Sequence, residues 1–156
     1  MSLTDTFKTT PKSTLKHLVQ TLKDGQEGFL KASEEVKNAN IKEVFARFSL
    51  QRAKFAGELE TELHALGEED PHKEGATVVG ALHRGWINLK SALTSGKSHA
   101  ILEEAERGED AAVKAYKDAL ETELPANLRE IVTRQATAVK AAHDEVKALR
   151  DMTKPE

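Results

Sequence analysis

Residues 68–96, EEDPHKEGATVVGALHRGWINLKSALTSG, lie between two pairs of long periodic segments, and their reading decides the fold. The first part, EEDPHKEG, is a charged connection broken by Pro71 and Gly75. From Ala76 to Leu93, Val78, Leu82, Trp86, Leu89 and Leu93 recur at helical spacing, and Thr94, Ser95 and Gly96 end the pattern. A helix of ~18 residues is ~27 Å long, enough to carry the chain from one end of a bundle back to the other.

On the N-terminal side, Thr10-Pro11 suits a helix start. A long helix is expected from Pro11 to about Lys37, with Leu15, Leu18, Val19, Leu22, Phe29 and Val36 on one face. Asn38-Ala39-Asn40 interrupts it, and Asn40 is the expected N-cap of the next helix, with Glu43 three residues on. That helix runs to about Leu66 with Ile41, Val44, Phe48, Phe55, Leu59 and Leu66 inward, and Gly67 stops it. On the C-terminal side, a third long helix spans about Ser98 to Glu123, burying Ile101, Leu102, Ala105, Ala112, Tyr116 and Ala119. Pro125 separates it from a fourth, Ala126 to about Arg150, whose inner face holds Leu128, Ile131, Ala138, Ala142, Val146 and Leu149.

Four helices of ~25 residues, each with one apolar face, bury those faces together as a bundle. The short outer connections make each pair an antiparallel hairpin. With a helical crossover between the second and third, the order is up-down-down-up, the ferritin-like arrangement. Five consecutive antiparallel helices are the rival topology. The expected organisation is a loose tail at 1–10, one helical domain at 11–150 and a frayed end at 151–156.

Composition narrows the function. The 156 residues are 38% apolar and 31% charged, with 9 Gly and 4 Pro, which favours long helices over a many-turned β fold. A net charge of −3, without a basic run carrying interleaved aromatics, argues against a nucleic-acid partner. The absence of cysteine excludes disulfides, thiolate catalysis and Cys-ligated metal. No apolar stretch approaches the ~20 residues a membrane span needs. MSLTDTFKTTPK lacks the apolar region of an export signal, so cytoplasmic residence is the expectation.

Several strings carry a family resemblance: KDGQEGF at 23–29, ALHRGWINLKSALT at 81–94, ILEEAERGEDAAVKAYKDAL at 101–120, ELP at 123–125, and the Gln135 to His143 spacing. Together they resemble an uncharacterised bacterial four-helix-bundle family, a domain of unknown function in the ferritin-like superfamily. The likeness runs from about Thr14 to Arg150. It implies the bundle fold and no particular reaction.

A ferritin-like bundle raises the question of a di-iron or di-manganese centre. Such a centre takes a Glu from each of two helices and a Glu-x-x-His pair from each of the others. No predicted helix here carries Glu-x-x-His; the one match, Glu69 to His72, lies in the charged connection. Projection at about 100° per residue instead turns Gln26, Gln51, Arg52, Glu109 and Gln135 inward. One carboxylate among amides and a guanidinium predicts a core polar network, with Arg52 paired to Glu109. Should a metal bind, Glu62, Glu106, Glu109 and His143 are the candidate ligands.

The remaining motifs read as structural. Trp86 is expected to anchor the crossover, Gly85 to allow close backbone approach, and Arg84 to pair with Glu103 or Glu106. The Glu103-Glu104 pair reads as ordinary solvated surface. No nucleophile-elbow motif or phosphate-binding loop is present. No catalytic or cofactor-binding residue is assigned. The expected function is therefore non-enzymatic, through protein contacts or self-association, in a stress or maintenance role. The alternative is a ferritin-like protein that stores iron or manganese or performs oxidative chemistry with it.

Overall fold

The computed structural model describes residues 10–68 and 85–153. These form five helices, α1 (Pro11–Glu35), α2 (Ala39–Ala65), α3 (Leu89–Ser95), α4 (Ser98–Leu120) and α5 (Ala126–Met152), with no strand among the described residues. The all-α expectation holds.

Local chemistry sets the ends. Thr10 caps α1: its hydroxyl accepts from the Ser13 amide at 3.0 Å, and the Ser13 hydroxyl accepts from the Thr10 amide at 2.9 Å. Pro11 takes the first helical position. The cap of α2 is Asn38, not the expected Asn40; its side-chain oxygen accepts from the Asn40 and Ile41 amides. The chain turns two residues earlier than the apolar pattern suggests, because Asn38 already satisfies the first free amides. Gly67, at φ 94°, closes α2 as expected: its amide bonds the His64 carbonyl while the Glu68 amide reaches back to Leu63. The last helix continues two residues past the expected Arg150, and Thr153 folds back onto the Leu149 carbonyl through its hydroxyl.

The crossover departs most from expectation. Residues 85–88 are not helical, and α3 has only 7 residues. Gly85 stands at φ 95°, a conformation that no L residue continues into a right-handed helix, so the periodic run breaks there. Val78, Leu82 and Arg84 lie outside the described residues.

α1 packs along α2, α4 along α5, and α1 against α4, while α2 and α5 approach closely at few points. The short α3 lies across α4 and α1. Two apolar layers fill the interior. One joins Leu15, Leu18 and Leu22 of α1 to Leu59 and Leu63 of α2, Tyr116 and Ala119 of α4, and Leu128 and Val132 of α5. The other joins Phe29 and Val36 to Phe45 and Phe48, Trp86, Ile101 and Leu102, and Ala142 and Val146. The apolar faces of α1 and α4 are those expected. On α2, Leu66 is 41% exposed while Phe45 is buried, and on α5 Val132 and Val139 are more deeply buried than Ile131 and Ala138.

Candidate functional site

Trp86 sits where α1 and α4 run side by side. Both helices present a glycine to it. A Cβ on Gly28 would come within 2.5 Å of the indole, and one on Gly108 within 2.2 Å, so any side chain at either position collides with the ring. The Phe29 ring meets the indole edge-on at 5.0 Å. Gly85 is equally constrained, since a Cβ there would lie 2.8 Å from that of Ala111. Gly28 of KDGQEGF, Gly85 of HRGW and Gly108 of ERGED thus serve one seat. The expected anchoring by Trp86 and close approach at Gly85 are both present.

Glu104 holds the turn that follows. It is buried, its carboxylate accepting from the Asn88 amide at 2.7 Å and from the Arg107 guanidinium at 2.5 Å. This corrects the reading of Glu104 as solvated surface. A helical wheel shows a charged residue beside Glu103; only the crossover folding over α4 removes it from water.

One turn further along α4, Arg52 reaches across the interior to Glu109. Its two terminal nitrogens donate to the two carboxylate oxygens at 2.5 and 2.6 Å, and both residues are fully buried. The third guanidinium nitrogen, Nε, donates to the Gln51 side-chain oxygen at 3.1 Å, and the guanidinium carbon lies 5.3 Å from the Phe29 ring centroid. Gly25 gives the arginine room, its Cβ position being 3.3 Å from an Arg52 nitrogen. The pairing predicted from the projection is therefore formed. Gln26 is half-buried and contributes its main-chain carbonyl, which accepts from the Ser49 hydroxyl at 2.9 Å.

Gln135 belongs to an adjoining network. Tyr116 donates its hydroxyl proton to the Gln135 oxygen at 2.7 Å, and the amide nitrogen donates to the Phe55 carbonyl and to Glu58. Burial pushes the Tyr116 phenol well above its ordinary range, and the carboxylates of Glu58 and Glu109 add to this against the opposing charge of Arg52. For Glu58, burial pushes the carboxyl up. Hydrogen bonds from Gln135 and Arg134, with the charges of Arg134 and Lys54, outweigh it and hold the group below the usual range.

The metal-ligand candidates are not brought together. Glu109 gives both oxygens to Arg52. Glu106 pairs with Arg150. His143 faces Asp110 at 2.6 Å through Nε2 and Asp144 at 3.1 Å through Nδ1. Glu62 is half-buried on α2, about 15 Å along the axis from Arg52. Among the described residues, no group of three or more His, Asp or Glu is placed to hold a metal ion. A pair of divalent cations needs several free anionic oxygens, and Glu109 gives both of its oxygens to a guanidinium. Glu62, Glu106, Glu109 and His143 are thus not arranged as the ligands of a di-metal centre.

Sequence reasoning missed Asp24, which is 1% exposed and accepts from Gln20 at 3.2 Å. Its i, i+4 spacing from Gln20 was available as a signal, but nothing in the apolar pattern distinguishes it from a surface acid.

Residues 11–122 match the family model described as a domain of unknown function, DUF2383. The chain belongs to this family. The match includes all three glycine strings, Trp86, Arg52 and Glu109, and ends before α5, short of the Gln135 and His143 positions of the resemblance. A search of curated proteins finds no match. No described helix is long and apolar enough to cross a membrane.

Proposed function

We propose that this family member is a ferritin-like bundle in up-down-down-up order, with a structural interior. It works through its surface, by self-association or contact with a protein partner, without a reaction of its own. The partition of the two apolar layers supports the topology. The N-terminal half of α1 meets the C-terminal halves of α2 and α4 and the N-terminal half of α5; the other layer holds the opposite halves. Helices α2 and α4 then run one way, and α1 and α5 the other.

The observation that carries the functional reading is the bidentate closure of Glu109 by Arg52. A carboxylate bound through both oxygens to an internal cation is a packing element. Removing that cation would strand a buried negative charge. The neighbouring Tyr116, Gln135 and Glu58 are likewise engaged with one another.

Size-exclusion chromatography with light scattering tests the self-association part: a defined oligomer is expected, and a strict monomer removes it. Elemental analysis of protein purified without chelator tests the interior. Near-stoichiometric iron or manganese, lost in Glu109→Ala, would replace this reading with that of a metalloprotein.

A further inference from the structure

The short connections at 36–38 and 121–125 make α1–α2 one hairpin and α4–α5 another. The hairpins meet along two edges of opposite character. At the α1–α4 edge, the Trp86 indole is wedged against the backbones at Gly28 and Gly108, with α3 lying across both helices. At the α2–α5 edge the helices approach closely at few points, and side chains span the gap: Arg47 to Glu145 at 3.0 Å, Arg134 to Glu58 at 3.2 Å, and Gln135 to Glu58 and the Phe55 carbonyl. Arg47 and Arg134 are 58% and 54% exposed, so water readily replaces their partners. Across the interior, the buried ion pair tying α2 to the second hairpin is Arg52–Glu109.

We propose that the bundle opens along its α2–α5 edge, turning about the α1–α4 edge, with the Arg52–Glu109 pair as the latch that holds it shut. The α1–α4 edge is closed by shape: separating it vacates an aromatic seat and exposes apolar surface. The α2–α5 edge is bridged by polar groups, each of which water satisfies once it is freed. Opening costs the contacts of Phe55 and Leu59 with the inner face of α5, which keeps the open state a minor one. It hydrates Arg52, Glu109 and Gln135, and exposes Tyr116.

The chain carries a reporter at each edge, for it has one Tyr and one Trp, and no Cys to compete for reagent. Tetranitromethane attacks phenolates, and a buried Tyr116 forms one only after exposure. Nitration of the folded protein near pH 8 therefore follows the α2–α5 edge, while acrylamide quenching of Trp86 fluorescence follows the α1–α4 edge. The double variant Arg47→Ala/Arg134→Ala removes two exposed bridges. It is expected to speed Tyr116 nitration roughly fivefold, with Trp86 quenching unchanged. Added salt acts in the same direction on the wild type by screening those bridges. Glu109→Gln, which keeps the shape of the latch and removes its charge, is expected to speed nitration further. If far-UV circular dichroism shows it unfolded, the surface double variant decides alone. Nitration no faster in that double variant than in the wild type overturns the proposal. So does a parallel rise in Tyr116 and Trp86 accessibility, the signature of the whole bundle unfolding.

Discussion

The two ends of the bundle are filled in different ways. Around Trp86, three phenylalanines and an indole meet ring to ring, with Phe29 5.6 Å from Phe45 and 5.5 Å from Phe48, and glycines yield the space. Around Leu59 and Leu63, many aliphatic side chains share the volume with the small residues Ala112, Ala115 and Ala119. The first end has one solution, because a rigid ring against bare backbone leaves no slack. The second can shift several flexible side chains to absorb a change. Between them, the Arg52–Glu109 pair belongs to neither regime and depends on charge balance.

The largest expected effect lies in that middle layer. Arg52→Ala should destabilise the protein by about 3–5 kcal/mol in denaturant unfolding, since Glu109 is left charged and buried. Replacing both partners with methionine should recover most of that loss, because the stranded charge goes too; a double variant as unstable as the single would show that the pair's own geometry is required. At the aliphatic end, Leu59→Ala should cost about 2–5 kcal/mol through the cavity it leaves.

Gly108→Ala tests the aromatic end. The new methyl overlaps the indole, and a loss of about 1–3 kcal/mol is expected. Ala115→Ser in the aliphatic layer should cost less than this, and a reversal of that order would break the contrast between the ends. Combining Gly108→Ala with Trp86→Leu should give a smaller loss than the sum of the two, since the smaller side chain relieves the overlap.

The pH dependence is the gentlest probe. Tyr116 has its pKa raised in the folded state, so its contribution is intact below the ordinary phenol value of about 10 and lost as pH rises through the folded value. Unfolding midpoints should therefore decline above about pH 10 in the wild type and less in Tyr116→Phe. Glu58 has the opposite sign. Its folded pKa is lowered, so its contribution is present above the ordinary carboxylate range and lost as pH falls through the folded value. Glu58→Gln should flatten the acid limb of the stability curve.

Periodicity was a sound guide wherever a helix buries one face in one place. The inner faces of α1 and α4 follow from the spacing of Leu15, Leu18 and Leu22 and of Ile101, Leu102 and Ala105, and Arg52 opposite Glu109 follows from the same projection. It failed where a second element changes what a face touches. Glu104 projects beside the exposed Glu103 and becomes buried only when the Trp86 turn closes over it. The run from Ala76 to Leu93 has helical spacing, yet Gly85 leaves helical geometry to aim Trp86 at its seat.

The amino-acid sequence alone determined that the chain is all-helical, where its long helices lie, and that polar side chains sit at its middle. These depend on local propensity, caps and the angle between successive residues, all short-range properties. Tertiary structure alone decided that Glu104 is buried under the Trp86 turn, why Gly28 and Gly108 must be glycines, and which edge of the bundle is bridged by exposed ion pairs. Those depend on distances between residues far apart in the chain, and a helical projection contains no such distances.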